Sequence, residues 1–99
     1  MRRNQFTVSA ESVQGNAGAE VTFKAILVSV WNEYRTTPMN DSDMLRTHML
    51  SWVGIVDDHG KPLPSPADDP EALDKLYLHE QQALALLLFQ GPDGPEAKN

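Results

Sequence analysis

The sequence contains no cysteine and no long apolar run, and both absences narrow what the chain can be. Without cysteine there is neither a disulfide framework nor a thiolate metal site. No stretch approaches the ~20 consecutive apolar residues that a membrane span requires. The basic start, Met1-Arg2-Arg3, is followed by interspersed polar residues and so lacks the apolar core of a secretory signal peptide. We therefore expect a soluble, intracellular protein.

Basic residues are also scarce, which bears on the class of partner. Eight Lys and Arg stand against 14 Asp and Glu, for a formal net charge of −6 at pH 7. Nucleic-acid backbones are bound through clustered Lys and Arg, whereas the basic residues here are scattered. Nucleic acid is therefore not an expected partner. The 99 residues suit one small domain that is marginal on its own, so association with a partner would add stability.

Two alternating segments near the start of the chain predict an antiparallel β-hairpin. Apolar residues occupy every second position from Phe6 to Ala10 and again from Val21 to Leu27, around a loop that contains two glycines. A hairpin with one apolar face needs helices to cover that face. The predicted fold class is therefore α+β.

Helices are predicted in the remainder of the chain. Apolar residues from Leu45 to Trp52 recur at helical spacing behind acidic first-turn residues. The last helix has a strong start signal, with Asp69 as N-cap and Pro70 at the first helical position, and Gly91 ends it. The predicted helices cover about 30–35, 41–53 and 70–90, in one domain over 1–91 that a flexible C-terminal tail follows over 92–99.

The segment from Trp52 to Pro64 carries the most distinctive pattern. Ile55 and Val56 are β-branched and suit a strand, and the polar residues that follow them suit a turn. Two prolines then hold the return arm extended. The pattern predicts a short second hairpin or loop near 54–64. Its defining residues are Trp52, Gly54, Asp57, Gly60, Pro62 and Pro64.

No arrangement of residues indicates catalysis. His48, His59 and His79 lie in different predicted elements and lack the spacing of metal ligands. Ser51 follows His48 by three residues, but neither a nucleophile elbow nor an oxyanion loop accompanies the pair. The glycines form no phosphate-binding loop. We predict a protein that is not an enzyme and that has no catalytic residues, no cofactor and no metal.

The end of the last helix is the candidate surface for a partner. Residues from Ala83 to Phe89 are apolar nearly all round the helix, which one small hairpin cannot fully cover. This helix end is therefore either the centre of the core or an interface. If it is an interface, Leu87→Asp abolishes association and leaves the monomer folded. The predicted partner-binding residues are Leu84, Leu87, Leu88 and Phe89, together with Trp31 as an aromatic anchor.

The order of these parts resembles the tail assembly chaperones of long-tailed, siphovirus-like bacteriophages. The residues that carry the resemblance are the strand Val21-Thr22-Phe23-Lys24-Ala25, the Trp52–Pro64 segment with the Leu-rich helix behind it, and Ala97-Lys98-Asn99. It implies a non-catalytic chaperone that binds the tape measure protein and helps to recruit major tail protein during assembly of the tail tube. It also implies a place in the cytoplasm of the infected bacterial host, absence from the mature virion, and a longer product made by programmed frameshift at the codons of the last three residues.

Two other functions stay open. A small acidic phage-encoded inhibitor of a host nucleic-acid-binding protein would present carboxylates in place of phosphates. That role needs acids in a row along one face, whereas the acids here cluster around loops and a helix cap. A structural tail joint or completion protein would share the fold but would remain in the virion. Besides the two tail proteins, a second copy of the chain is an expected partner, and neither nucleic acid nor membrane is.

Overall fold

The structure is a computed structural model that describes residues 4–98. It confirms the α+β class: an antiparallel sheet in the order β3-β2-β1-β4 packs against helices. The strands are β1 (Gln5–Ser9), β2 (Glu20–Lys24), β3 (Met49–Val53) and β4 (Ala97–Lys98). The α-helices are α1 (Glu11–Gln14), α2 (Val28–Thr36), α3 (Asp41–His48) and α4 (Leu78–Gln90), and Pro70–Lys75 and Gly91–Asp93 form 3₁₀ helices.

The predicted N-terminal hairpin is confirmed by β1 and β2. The two strands pair over their full length, from Gln5 opposite Lys24 to Ser9 opposite Glu20. The single-turn helix α1 lies in the loop between them. Alternation places one apolar set of side chains on the helix-covered face, as the sequence pattern predicts. The buried members of this set are Phe6, Val8, Val21 and Phe23.

The prediction of a single helix over 41–53 is wrong in its second half. The start is as predicted, because the side chain of Asn40 accepts a hydrogen bond from the backbone N–H of Asp43 at 2.8 Å. The helix, however, ends at His48, and the next five residues form β3, which pairs with β2. The sheet thereby gains a third long strand in place of a longer helix.

A β-bulge explains why β3 resembles a helix in sequence. Met49 and Trp52 are both buried although they are three residues apart, which is a helical spacing. In β3 the register shifts at Leu50, so that this residue has no partner on β2. The extra residue lets side chains three positions apart share one face of a strand. An α-helix and a bulged strand therefore give the same pattern of buried residues at these positions.

The prediction of a single helix over 70–90 is also wrong. Asp69 caps the start and its side chain accepts from the N–H of Glu71, as the sequence predicts, but the turns that follow are 3₁₀ and end at Lys75. The backbone of Leu76 and Tyr77 is extended. A new helix, α4, then begins. Two helical segments with a bend between them replace the one long helix.

The segment predicted as a flexible tail over 92–99 differs in the structure. After the second 3₁₀ helix the chain returns to the sheet, where the N–H of Ser9 donates to the carbonyl of Glu96 at 2.8 Å. Lys98 also forms an ion pair with Glu20 of β2, across the intervening strand β1. The free edge of β1 supplies the hydrogen-bond partners that hold this segment, which its Pro- and Gly-rich composition does not reveal. Residues 1–3 and 99 lie outside the described part.

The predicted hairpin near 54–64 is confirmed. Val56 and Pro62 form an isolated antiparallel bridge, and the N–H of Asp57 donates to the carbonyl of Lys61 at 2.9 Å. The turn encloses Gly60, whose φ of +78° is a conformation that glycine adopts without strain. Within residues 4–98 no helix combines the length and hydropathy that crossing a membrane would take.

Candidate partner-binding groove

The structure separates the five predicted partner-binding residues into two groups. Leu84, Leu87 and Leu88 are buried and belong to the core that packs on the sheet, so of the two alternatives for this helix end, core or interface, the structure gives the core for these three residues. The four-stranded sheet covers more of α4 than a two-stranded hairpin would. An aspartate at Leu87, which is 6% exposed, would therefore be buried in apolar surroundings, so the expectation of a folded Leu87→Asp monomer is withdrawn.

Trp31 and Phe89 form the second group, and they remain accessible. Their side chains are 38% and 43% exposed, and their rings meet edge to face with the centroids 5.0 Å apart. This geometry is a favoured one for aromatic pairs because the ring edge and the ring face carry opposite partial charges. The pair joins α2 to the end of α4. Two large apolar side chains thus stay in contact with water beside one another.

An open groove of about 510 Å³ runs along this aromatic pair. Its walls come from the first strand, from the connection between β2 and α2, from α2 itself, and from the end of α4 with the turn that follows. The lining contains no charged residue. The lining residues are Phe6, Ala25, Ile26, Val28, Trp31, Leu88, Phe89, Gly91 and Pro92.

Local backbone features hold the walls of the groove apart. The N–H of Ala25 donates to the carbonyl of Asn4 at 2.9 Å, which ties the exit from β2 to the start of β1. The chain then leaves the sheet through Ile26 and Leu27 and enters α2. On the opposite wall, Gly91 has a φ of +73° and ends α4, so the chain turns back toward β1 instead of extending over the groove.

A hydrogen bond connects α2 to the last residue of α3. The hydroxyl of Tyr34 lies 2.8 Å from Nε2 of His48, and the two rings meet edge to face. His48 is buried, and its Nδ1 has no hydrogen-bond partner. Burial lowers the pKa of His48, the nearby charge of Lys24 lowers it further, and the backbone at Lys24 opposes both effects. The neutral imidazole is therefore the favoured form in the folded chain.

The first turn of α4, at the opposite end of the helix from the groove, carries a buried carboxylate that the sequence pattern does not single out. Glu80 is 8% exposed, and its Oε1 accepts a hydrogen bond from the N–H of Tyr77 at 2.9 Å. The amide Nε2 of Gln14 donates to Oε2 of Glu80, and Oε1 of Gln14 accepts from the N–H of Val56 at 2.8 Å. This chain of hydrogen bonds joins α1, the 54–64 hairpin and the start of α4. The only sequence signal is an acid three residues after the N-cap residue, Tyr77.

The motif residues between Trp52 and Pro64 have structural roles and do not line the groove. The buried indole of Trp52 donates from Nε1 to the carbonyl of Leu63 at 3.1 Å, which fixes the return arm of the hairpin. Pro62 and Pro64 flank this contact and keep the arm extended, and Pro62 is one half of the bridge. These residues therefore organise the hairpin.

Asp57 and Gly54 each stabilise one end of the same hairpin. Oδ1 of Asp57 accepts from the N–H groups of His59 and Lys61, at 2.8 and 2.9 Å, and the Lys61 bond is the main cause of a lowered Asp57 pKa. Gly54 has a φ of +74°, and a Cβ there would approach Cα of Ala19 to 3.0 Å. Only glycine fits this close approach of two backbones.

The groove, with its uncharged lining and its two exposed aromatic rings, suits apolar side chains of another molecule. His48, His59 and His79 do not come together, and within residues 4–98 no three His, Asp or Glu side chains converge as metal ligands would. The arrangement therefore offers an apolar binding surface. Comparison of the chain with protein-family models, with curated proteins and with solved structures found no match in any of the three.

Proposed function

We propose that this protein is a phage tail assembly chaperone that binds apolar helical segments of the tape measure protein and helps to recruit major tail protein. The observation that supports the proposal is the open, uncharged groove at Trp31 and Phe89. The motif resemblance from Trp52 to Pro64 supplies the identity of the client. The proposed role is non-catalytic, and its site in the infected host is the cytoplasm.

The physical case rests on apolar surface and on charge. Contiguous exposed apolar patches are uncommon on monomers and often mark sites of protein association. Half-exposed aromatic residues in such a patch are the side chains that most often dominate binding energy. The rest of the chain carries a net charge of −6, which makes copies loaded on one client repel each other and resist precipitation.

The experiment that tests the proposal is co-expression with the product of the long helical gene immediately downstream. We expect a soluble, multi-copy complex that survives pull-down and size-exclusion chromatography with light scattering. Phe89→Ser removes one aromatic ring from the groove and is expected to weaken the complex at least tenfold. Leu78→Ser is the matched control, because Leu78 is an exposed leucine at the opposite end of α4 and does not line the groove.

Three outcomes would contradict the proposal. If the downstream product stays insoluble while this chain elutes alone, the chaperone role fails. If Leu78→Ser weakens the complex as much as Phe89→Ser, the groove is not the binding site. If the protein is found in finished virions, a structural joint or completion role replaces that of a chaperone.

A further inference from the structure

The helix that forms one wall of the groove, α2, is attached to the fold in a different way from α3 and α4. None of its residues is buried, whereas α3 and α4 each bury several side chains. No residue of α2 belongs to the core cluster or packs against it as a partly buried apolar side chain. Moving α2 away would therefore expose little of the core.

Among the described residues, two aromatic side chains of α2 make specific contacts with other elements. Trp31 packs on Phe89, and the hydroxyl of Tyr34 hydrogen-bonds to His48. Within residues 4–98 this bond is the only side-chain hydrogen bond that leaves α2 for another element. The two contact residues are three positions apart, which places them on one side of the helix. The attachment of α2 thus has the same form as a peptide helix docked through two anchors.

The size of the groove limits what it can hold while α2 is in place. An α-helix with side chains is about 10–12 Å across and has a pitch of 5.4 Å, so two turns fill roughly 1,000 Å³. The groove measures about 510 Å³. It can therefore receive a few side chains but not two turns of helix, unless α2 moves.

We infer that α2 is a competitor for the groove: an amphipathic helix of the client, with two large aromatic residues three positions apart, displaces α2 and takes its place against Phe89. The identity of the client rests on the proposed function, but the displacement is a property of this chain alone. The spacing follows from Trp31 and Tyr34, the residues whose contacts the incoming helix replaces. Displacement also uncovers the ring of Phe89, which enlarges the apolar surface offered to the client.

The test uses the full chain and a fluorescein-labelled peptide with the sequence of residues 26–37, which contains α2. Binding is measured by fluorescence anisotropy. Tyr34→Phe in the protein removes the hydrogen bond to His48 and so raises the population of the open form. Apparent affinity for the peptide is expected to rise about two- to tenfold, since it scales with the fraction that is open. An isolated helix of this length is marginal in water, so the ratio between proteins is the quantity to compare.

Trp31→Ala in the protein separates displacement from the simpler case in which α2 is a fixed wall. If α2 competes, this variant binds the peptide more tightly than the parent protein. If Trp31 is part of a fixed wall, the variant binds less tightly, and the inference fails. A peptide carrying Trp31→Ala and a protein carrying Phe89→Ser are both expected to lose binding. Absence of binding to the Tyr34→Phe protein at millimolar peptide would also overturn the inference.

Hydrogen exchange of the free protein provides a second test that needs no ligand. The amides of α2 are expected to exchange through local opening, faster than those of α4, and Tyr34→Phe should accelerate only the α2 amides. Exchange of α2 and α4 at one common rate would contradict a separately opening helix. Since this measurement involves no tape measure protein, failure of the chaperone proposal and failure of the displacement mechanism remain distinguishable.

Discussion

The buried carboxylate of Glu80 can be replaced by an amide of the same shape, which changes only which of its atoms donate and which accept hydrogen bonds. The effect on stability follows from the bonds that Glu80 makes. Both of its oxygens accept, one from the N–H of Tyr77 and the other from the amide of Gln14. The orientation of that amide is itself fixed, because its oxygen accepts from the N–H of Val56. Each donor in the chain of bonds therefore meets an acceptor. Replacing Glu80 by its isostere glutamine keeps the shape of the side chain but disrupts this pairing of donors with acceptors.

In Glu80→Gln the new amide can accept from Tyr77 only by pointing its NH₂ group at the NH₂ group of Gln14. If Gln14 flips to accept, its own NH₂ group faces the N–H of Val56. Either arrangement leaves two donors opposed in a buried site, where an unsatisfied group costs about 1–3 kcal/mol. For a domain of this size each kcal/mol lowers the midpoint of thermal unfolding by about 4–8 °C.

The double variant Gln14→Glu/Glu80→Gln exchanges the two side chains and restores the pairing of donors with acceptors. The new glutamate accepts from Val56 and from the glutamine at position 80, which in turn accepts from Tyr77. Gln14→Glu alone places two carboxylates in contact and is expected to be destabilising as well. The double variant should therefore be more stable than either single variant, with a coupling energy of about 1–3 kcal/mol.

Urea and thermal unfolding of the four proteins at pH 7, followed by far-UV circular dichroism, measure this cycle. Hydrogen exchange at the amides of Val56 and Tyr77 reports on the same bonds directly. If Glu80→Gln is as stable as the parent, the carboxylate is not required as a double acceptor. If the two substitutions simply add, the pair is not coupled. Either result would contradict the predicted pairing of donors and acceptors at Glu80.

Three further predictions concern stability. Leu87→Asp should lower the free energy of unfolding by at least about 3 kcal/mol in urea titrations, while Leu86→Asp, at a neighbouring position that is 57% exposed, should change it by no more than about 0.5 kcal/mol. Gly60→Ala should cost about 1 kcal/mol for its left-handed φ in the same assay, and Gly54→Ala clearly more, because its Cβ also meets neighbouring backbone. Folding lowers the pKa of His48 below its ordinary value of 6.5, so the unfolded chain takes up this proton more readily than the folded chain. The free energy of unfolding should therefore be constant above pH 6.5 and should fall as the pH drops below 6.5. In His48→Gln this dependence should be flatter, as urea titrations on both sides of pH 6.5 would measure.

The parts of the fold that sequence predicts well are those where one structure alone fits the pattern. Alternation from Phe6 and from Val21 defines the first hairpin, since no helix would place those side chains on one face. The cap at Asp69 and the turn at Asp57 follow from side chains that bond their own backbone. In each case residues close together in the sequence are sufficient to predict the local structure.

The wrong predictions arise where the same spacing serves two structures. Met49 and Trp52 have a helical spacing, yet the bulge at Leu50 gives a strand the same pattern. The bend before α4 depends on a bond from Tyr77 to Glu80, which a continuous helix would lack. Both differences depend on hydrogen bonds that periodicity does not encode.

The candidate groove was only partly predictable. Trp31 and Phe89 were selected as partner-binding residues from their chemistry, and the structure brings the two together. The sequence leaves Leu87 between core and interface, because its burial depends on how many strands cover α4. The remaining walls come from positions as distant as Phe6 and Pro92, and only the folded topology makes them neighbours. Which apolar side chains are covered is thus a question of tertiary packing.

The bulge at Leu50 has a consequence for how copies of the chain can meet. It lies on β3, an edge strand of the sheet, and a bulge on an edge strand disturbs the regular row of N–H and C=O groups that another strand would need. The opposite edge, β4, has only two residues, and one of them is the charged Lys98. Both edges thus resist sheet extension and the fibrous aggregation that follows from it. Contacts between copies of the chain are accordingly expected to form through helices and side chains, without pairing of their sheets.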